Sequence, residues 1–236
     1  LSGTGTILED DQQPTTTTIN SDLPDPSVVG QAYPVAVTVT AQSSSPTGSV
    51  TVSDGTASCT ATLSSGATPT STASCNLTST TAGAKTLTAS YTAATSDFGN
   101  SSGTTGHQVN PAATTISVSG PARSRINQPT AFSFALTVTS PGGGTPTGTV
   151  TLSSGAASCT ATLPTTSCNL SFTALGSRTV TASYAGDGNY LASASSGPGN
   201  MQTLVYALSD LSVSKTDNLS SYVAGELLVY SVVVRN

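Results

Sequence analysis

The chain has 236 residues, of which 43 are Thr and 39 Ser, and only 7% are charged, for a formal net charge of −5. A typical soluble domain is about 25% charged, so hydroxyls take the place of charges on this surface. Six basic residues scattered over the length cannot neutralise a run of phosphates or form a basic membrane-surface face, and one His, one Met and no Trp leave little for a catalytic site or a metal cage.

The abundance of Val and Thr favours strands over helices. Apolar residues alternate with period two: Val35, Val37 and Val39, then Val50 and Val52, then Leu87, Ala89 and Tyr91. That pattern marks strands with one face on a core and one in water. Turn signals at Pro46-Thr-Gly48, Asp54-Gly55, Ser65-Gly66 and Ala82-Gly83 divide the runs, and strands are predicted near 15–19, 33–41, 48–53, 58–63, 72–78, 85–91 and 106–110. Seven short strands in this length point to an immunoglobulin-like sandwich; a seven-strand barrel is the alternative.

The same series then recurs. Thr15-Thr-Thr-Thr-Ile19 returns as Ala113-Thr-Thr-Ile116, Ala36-Val-Thr-Val-Thr40 as Ala135-Leu-Thr-Val-Thr139, and Pro46-Thr-Gly-Ser-Val-Thr-Val-Ser53 as Pro146-Thr-Gly-Thr-Val-Thr-Leu-Ser153. Ser58-Cys-Thr-Ala-Thr-Leu63 reappears unchanged at 158–163, and Lys85-Thr-Leu-Thr-Ala-Ser-Tyr91 as Arg178-Thr-Val-Thr-Ala-Ser-Tyr184. The offset falls from about 100 to 93 after one hairpin, too long for a solenoid period. The expected fold is therefore all-β: two tandem immunoglobulin-like sandwiches of about seven strands each. The expected junction, Val109-Asn-Pro-Ala-Ala-Thr-Thr-Ile116, is short, and Pro111 restricts it and Asn110 to extended geometry; the two copies should stand end to end as a stiff rod.

Four cysteines fall two per copy, with 15 residues between Cys59 and Cys75 and 8 between Cys159 and Cys168. Each pair flanks the same hairpin although the turn length differs, so a bond between opposed strands is the economical reading, one of three connectivities. The alternatives are free buried thiols and a metal site, the latter short of ligands and with no nearby His. Persistent disulfides would place the chain in an oxidising compartment, outside the cytoplasm.

Thr15-Thr-Thr-Thr-Ile19, Asp25-Pro-Ser-Val-Val-Gly-Gln31, Pro46-Thr-Gly-Ser-Val-Thr-Val52 and Ala82-Gly-Ala-Lys-Thr-Leu-Thr-Ala-Ser-Tyr91 resemble the bacterial Ig-like repeats found in tandem in large exported proteins, as does the ending Tyr184-Ala-Gly-Asp-Gly-Asn-Tyr190. The first copy departs from that ending at 91–100, where an insertion stands. Gly3-Thr-Gly-Thr-Ile-Leu-Glu-Asp-Asp11 is similar to the last strand of a Calx-beta repeat. Ser209-Asp-Leu-Ser-Val-Ser-Lys-Thr-Asp217, with Val223-Ala-Gly-Glu226 and Tyr230–Asn236, looks like the start of a DUF11 surface repeat. These resemblances imply modules at 1–13 (Calx-beta-like), 14–111 and 112–207 (the two Ig-like repeats) and 208–236 (a truncated DUF11-like sandwich) of an exported bacterial mosaic protein. Residue 1 is Leu and the chain stops inside a predicted strand, so both ends read as cuts through a longer polypeptide. There is no signal peptide in this stretch and no apolar run long enough to span a membrane.

No catalytic residue is expected and no cofactor. Glu9, Asp10 and Asp11 are the densest acidic cluster; the Calx-beta likeness makes them calcium candidates, and a solvated acidic linker is the plain reading. Asp97 and Asp187 suit turns, and His107 reads as a surface or edge histidine. A buried cluster of His107 with a carboxylate and a Ser or Cys in one pocket would contradict a non-catalytic chain. The functional expectation is a spacer or stalk that projects a distal module from the cell surface, its partners being neighbouring sandwich modules of the same chain. The rivals are a module binding a cell-surface glycan or protein, against which the scarcity of aromatics speaks, and an accessory region of a secreted hydrolase.

Overall fold

The computed structural model describes residues 12–235 apart from Leu211, Leu219, Tyr222, Glu226 and Leu228. Glu9, Asp10 and Asp11, with residues 1–8 of the Calx-beta-like tail, lie outside the described residues.

The first copy contains β1 (Thr16–Ser21), β2 (Ser27–Val28), β3 (Ala32–Thr40), β4 (Gly48–Ser53), β5 (Ser58–Thr62), β6 (Ser64–Ser65), β7 (Thr70–Thr78), β8 (Gly83–Ala93) and β9 (Ser101–Asn110). They form two sheets, ordered β1-β3-β7-β6 and β2-β9-β8-β4-β5. The period-two pattern explains why the sheets face each other. Tyr33, Val35, Val37, Val39 and Leu77 from one meet Val50, Val52, Leu87, Ala89 and Tyr91 from the other in a single buried cluster, while the intervening Thr and Ser turn to water. All pairings are antiparallel except β2 with β9, which run parallel. The chain leaves β1 in one sheet, crosses over residues 22–26, and joins the other sheet as β2.

The second copy repeats this plan with β10 (Thr114–Ser119), β11 (Arg123–Arg125), β12 (Thr130–Val138), β13 (Thr149–Ser154), β14 (Ala157–Thr162), β15 (Ser167–Leu170), β16 (Gly176–Tyr184), β17 (Ser193–Ala194) and β18 (Met201–Tyr206), with a 3₁₀ turn at Gly197–Gly199. Its sheets are β10-β12-β15 and β11-β18-β16-β13-β14, with β17 beside β16. The parallel pair returns as β11 on β18. Beyond it, β19 (Ser212–Thr216) and β20 (Ser231–Arg235) form an antiparallel hairpin that leaves Val213, Val232 and Val234 exposed. The chain is thus all-β and immunoglobulin-like, as its periodicity requires.

Cys59 bonds Cys75 and Cys159 bonds Cys168, with Cα atoms 5.9 and 6.0 Å apart. In each copy the bond links the two sheets at their edge, from β5 to β7 and from β14 to β15. Two tyrosines at equivalent places fix the chain just before the neighbouring strand of their own sheet: Tyr91 donates its hydroxyl to the Thr47 carbonyl at 2.7 Å and Tyr184 to that of Thr147 at 2.9 Å. Burial, and then the charge of Asp187, push the Tyr184 phenol up to about 12.

Candidate functional site

Two places gather polar groups beyond what sandwich packing demands: the joint between the copies, and the crossover between β1 and β2.

At the joint the linker after β9 is held from both sides. Ala112 makes a parallel bridge to Tyr190, its N–H donating to the Asn189 carbonyl at 2.8 Å and its carbonyl accepting from Leu191 N–H at 2.9 Å. The loop that grips it is the Gly-Asp-Gly-Asn-Tyr ending of the second copy. Asp187 organises that loop by accepting from Thr147 N–H and Oγ and from the N–H groups of Asn189 and Tyr190. Partial burial opposes its charge, and these donors outweigh burial, so the Asp187 carboxyl sits below the usual carboxylate range. Asn189 then reaches the first copy, where its side-chain oxygen accepts from Ala82 N–H at 2.9 Å. On the other side, Gly143 N–H donates to the Val29 carbonyl at 3.1 Å. Val29, Val109 and Ala112 are buried in the same apolar cluster as the core of the second copy. The contacts are made by loops and strand ends rather than by sheet faces.

The first copy grips the segment that enters it in the same manner. Gln13 makes a parallel bridge to Phe98, its N–H donating to Asp97 O and its carbonyl accepting from Gly99 N–H. Thr15 and Thr114 then play one part, each bonding a loop carbonyl (Gly99, Leu191) and a serine hydroxyl (Ser101, Ser193). The insertion at 91–100 leaves this grip in place.

The crossover overturns the reading of His107 as a surface or edge residue. His107 lies on β9 and is 3% exposed, because its inward position on the strand faces the crossover. Its Nε2 is 2.8 Å from Ser27 Oγ, and its Nδ1 is 2.9 Å from Asp22 Oδ2 and 3.7 Å from Asp25 Oδ1. Tyr33 stacks on the imidazole with centroids 4.2 Å apart and planes 13° apart. The Tyr33 hydroxyl pairs with Ser79, which donates to Asp54. Burial raises the Tyr33 pKa, and the charges of Asp54, Asp22 and Asp25 add to it against the Ser79 hydrogen bond.

The connectivity of Ser27, His107 and Asp22 is that of an acyl-transfer triad, so the arrangement named as contrary to a non-catalytic chain is present in its side chains. Ser27 is 0% exposed and sits within the β2–β9 pairing, so the hydroxyl is closed off from water in this arrangement. The second copy supplies the comparison. Ser124 and Thr203 occupy the places of Ser27 and His107 in the equivalent parallel pair, and their hydroxyls meet at 3.0 Å. A buried hydroxyl pair is therefore the fold's own closure here, and His107 is what the first copy has put in place of a threonine. The polar partners of His107 lie 80 and more residues away, so no local motif announces them; comparing His107 with Thr203 across the repeat is the one sequence signal that could have found the site.

Residues 117–202 match the family of bacterial Ig-like domains, group 3. No curated protein is similar enough in sequence to count as a relative. Among solved structures the chain is similar to a tetra-tandem repeat in the extending region of a large adhesion protein, at 16% identity and TM-score 0.48, over 94% of this chain and 63% of that one. It is also similar to fibronectin(III)-like modules of CbhA from Clostridium thermocellum, at 16% identity and TM-score 0.34, over 81% of this chain and 94% of the other. A third likeness is to a 1.5-MDa bacterial ice-binding adhesin, at 12% identity and TM-score 0.31, over 89% and 71%. No helix among the described residues is long and apolar enough to cross a membrane.

Proposed function

We propose that this chain is a spacer segment of a large exported bacterial surface protein, in which rigid sandwiches joined by stiff linkers hold a distal module away from the cell. The joint carries this reading. A linker gripped by a parallel bridge, capped by an aspartate-organised loop and packed into the next core resists bending, which a spacer needs and a free tether does not. The bacterial Ig-like match over 117–202 and two disulfides, which persist in oxidising compartments, support an extracellular or surface location. The neighbouring modules of the same chain are its first partners, and no catalysis is assigned to it.

Small-angle scattering tests this. The expected profile is that of an elongated particle about two sandwiches long and rigid at the joint; a compact globule, or free hinging at Pro111, would count against the spacer and for a binding cleft.

A further inference from the structure

The crossover between β1 and β2 holds more chemistry than the fold needs. From Thr15 to Ser27 the chain takes two residues more than from the equivalent Thr114 to Ser124. The longer segment carries Asp22 and Asp25; its counterpart, Ser119-Gly-Pro-Ala-Arg123, has no carboxylate. Opposite it, His107 replaces Thr203. Three ligand-bearing residues have thus been brought to one point of one copy, while the other copy closes the same strand crossing with two hydroxyls.

We propose that Asp22, Asp25 and His107 bind a divalent transition-metal ion. Their ligand atoms all lie within 4.8 Å of one another, with Nδ1 2.9 Å from Asp22 Oδ2 and 3.7 Å from Asp25 Oδ1. Tetrahedral zinc, with bonds of about 2.0–2.2 Å, sets its ligand atoms roughly 3.3–3.5 Å apart, so the two gaps bracket what an ion requires. Asp25 is the most exposed of the three and sits in the crossover, where a small shift completes the fit and gives the ion its path in. Three protein ligands leave a fourth position for water. An imidazole nitrogen in the set selects a transition ion over Ca²⁺ or Mg²⁺, which take oxygen ligands.

The groups around the imidazole are those a metal-binding histidine uses. Stacking on Tyr33 fixes the ring plane, and Ser27 at Nε2 supplies the outer hydrogen bond that orients a ligating imidazole. In the tautomer that carries its proton on Nδ1, the ring donates to Asp22 and accepts from Ser27 at Nε2. With the ion on Nδ1, the ring proton sits on Nε2 and is donated to Ser27 Oγ. The tautomer reverses with no net gain or loss of protons. The bound ion would tie the crossover to β9 across more than 80 residues of sequence, adding a clamp that the second copy lacks.

The sole histidine of the chain makes the test clean. The full chain, stripped with chelator and titrated calorimetrically with ZnCl₂ at neutral pH, should bind one equivalent, and ¹⁵N spectra of the imidazole should show Nδ1 losing its proton to Nε2. Asp25→Asn, in the exposed part of the crossover, should weaken binding at least tenfold. Ser27→Ala should weaken it about 10–100-fold, as loss of an outer-shell partner does, and His107→Thr, which installs the residue the second copy tolerates, should abolish it. No saturable binding, binding that survives His107→Thr, or affinity unchanged in the Asp22→Asn, Asp25→Asn double variant would overturn the proposal. None of these outcomes depends on the spacer reading.

Discussion

The stiffness of the joint turns on Gly30, and replacing it by Ala tests the argument for that joint at one atom. Gly30 has φ +78°, and a Cβ built on it would lie 2.5 Å from the Gly143 nitrogen and 2.6 Å from its Cα and carbonyl carbon. Ordinary contact needs about 3.5–4.0 Å, and because every obstructing atom is backbone of the other copy, no side-chain rotation relieves it. Two costs follow. Holding Ala at positive φ destabilises the turn by about 1 kcal/mol. Separating the copies by about 1 Å breaks the Gly143 to Val29 hydrogen bond, a net loss of about 1 kcal/mol. It also uncovers Val29, now 1% exposed, whose burial contributes about 1.5–3 kcal/mol. Coupling between the copies should therefore fall by about 2–4 kcal/mol, while each sandwich stays folded. Backbone ¹⁵N relaxation should show the two copies tumbling as one body in the parent chain and independently in Gly30→Ala, with a matching broadening of the scattering-derived distance distribution. Gly188→Ala, in the loop at the same joint, is the control, since its Cβ would meet nothing within 4 Å, and its relaxation should match the parent. Unchanged relaxation in Gly30→Ala would refute the reasoning.

Four further outcomes are expected. Replacing Cys59 and Cys75 by Ser should cost about 3 kcal/mol and replacing Cys159 and Cys168 slightly less, following sequence separations of 16 and 9; urea unfolding of the two double variants measures both, and equal stability with the parent would reject the loop-closure account. Burial disfavours the Asp54 charge, but hydrogen bonds from Ser79, Ala57 and Thr56 outweigh it and hold its pKa low, so its contribution is present above the unfolded carboxylate value and lost below about pH 4. Asp54→Asn should flatten that acid limb in a pH series of melting temperatures. Tyr184, pushed up to about 12, should be among the last phenols to ionise in an ultraviolet titration; folding raises its pKa, so the stability it lends is intact below about pH 10 and drains as pH climbs beyond. Finally, a fluorophosphonate ester should leave Ser27 unlabelled in the folded chain, and labelling there would revive the catalytic reading.

How much of this was legible in the sequence depends on whether the cause was local. Strands β3, β4 and β8 are written in their own alternation of Val, Leu and Tyr against Thr and Ser, and they emerge within a residue or two of expectation. The first half of β9, Ser101–Gly106, carries no apolar residue, and its strand exists because of something distant: a Cβ on Gly103 would stand 2.1 Å from the Thr17 carbonyl, so only glycine lets β1 lie that close. The two-residue β2 is too short for any period to show, yet it holds Ser27, and missing it hides the crossover that buries His107. The acidic loop at 184–190 was read as a turn, which it is; that its asparagine reaches Ala82 of the neighbouring copy is tertiary information that no spacing contains.

The paired bridges, Gln13 with Phe98 and Ala112 with Tyr190, bear on how such a protein grows. Each copy brings its own socket for the chain that feeds into it, built from its final loop and independent of what that chain comes from. A gene segment encoding one copy could be duplicated or lost and the new boundary would still find a receptacle on its downstream side, while the contacts that Gly30 and Ala82 make from the upstream copy would have to be refitted. Array length would then be adjustable in steps of one module, with the entry socket of each copy carried along unchanged.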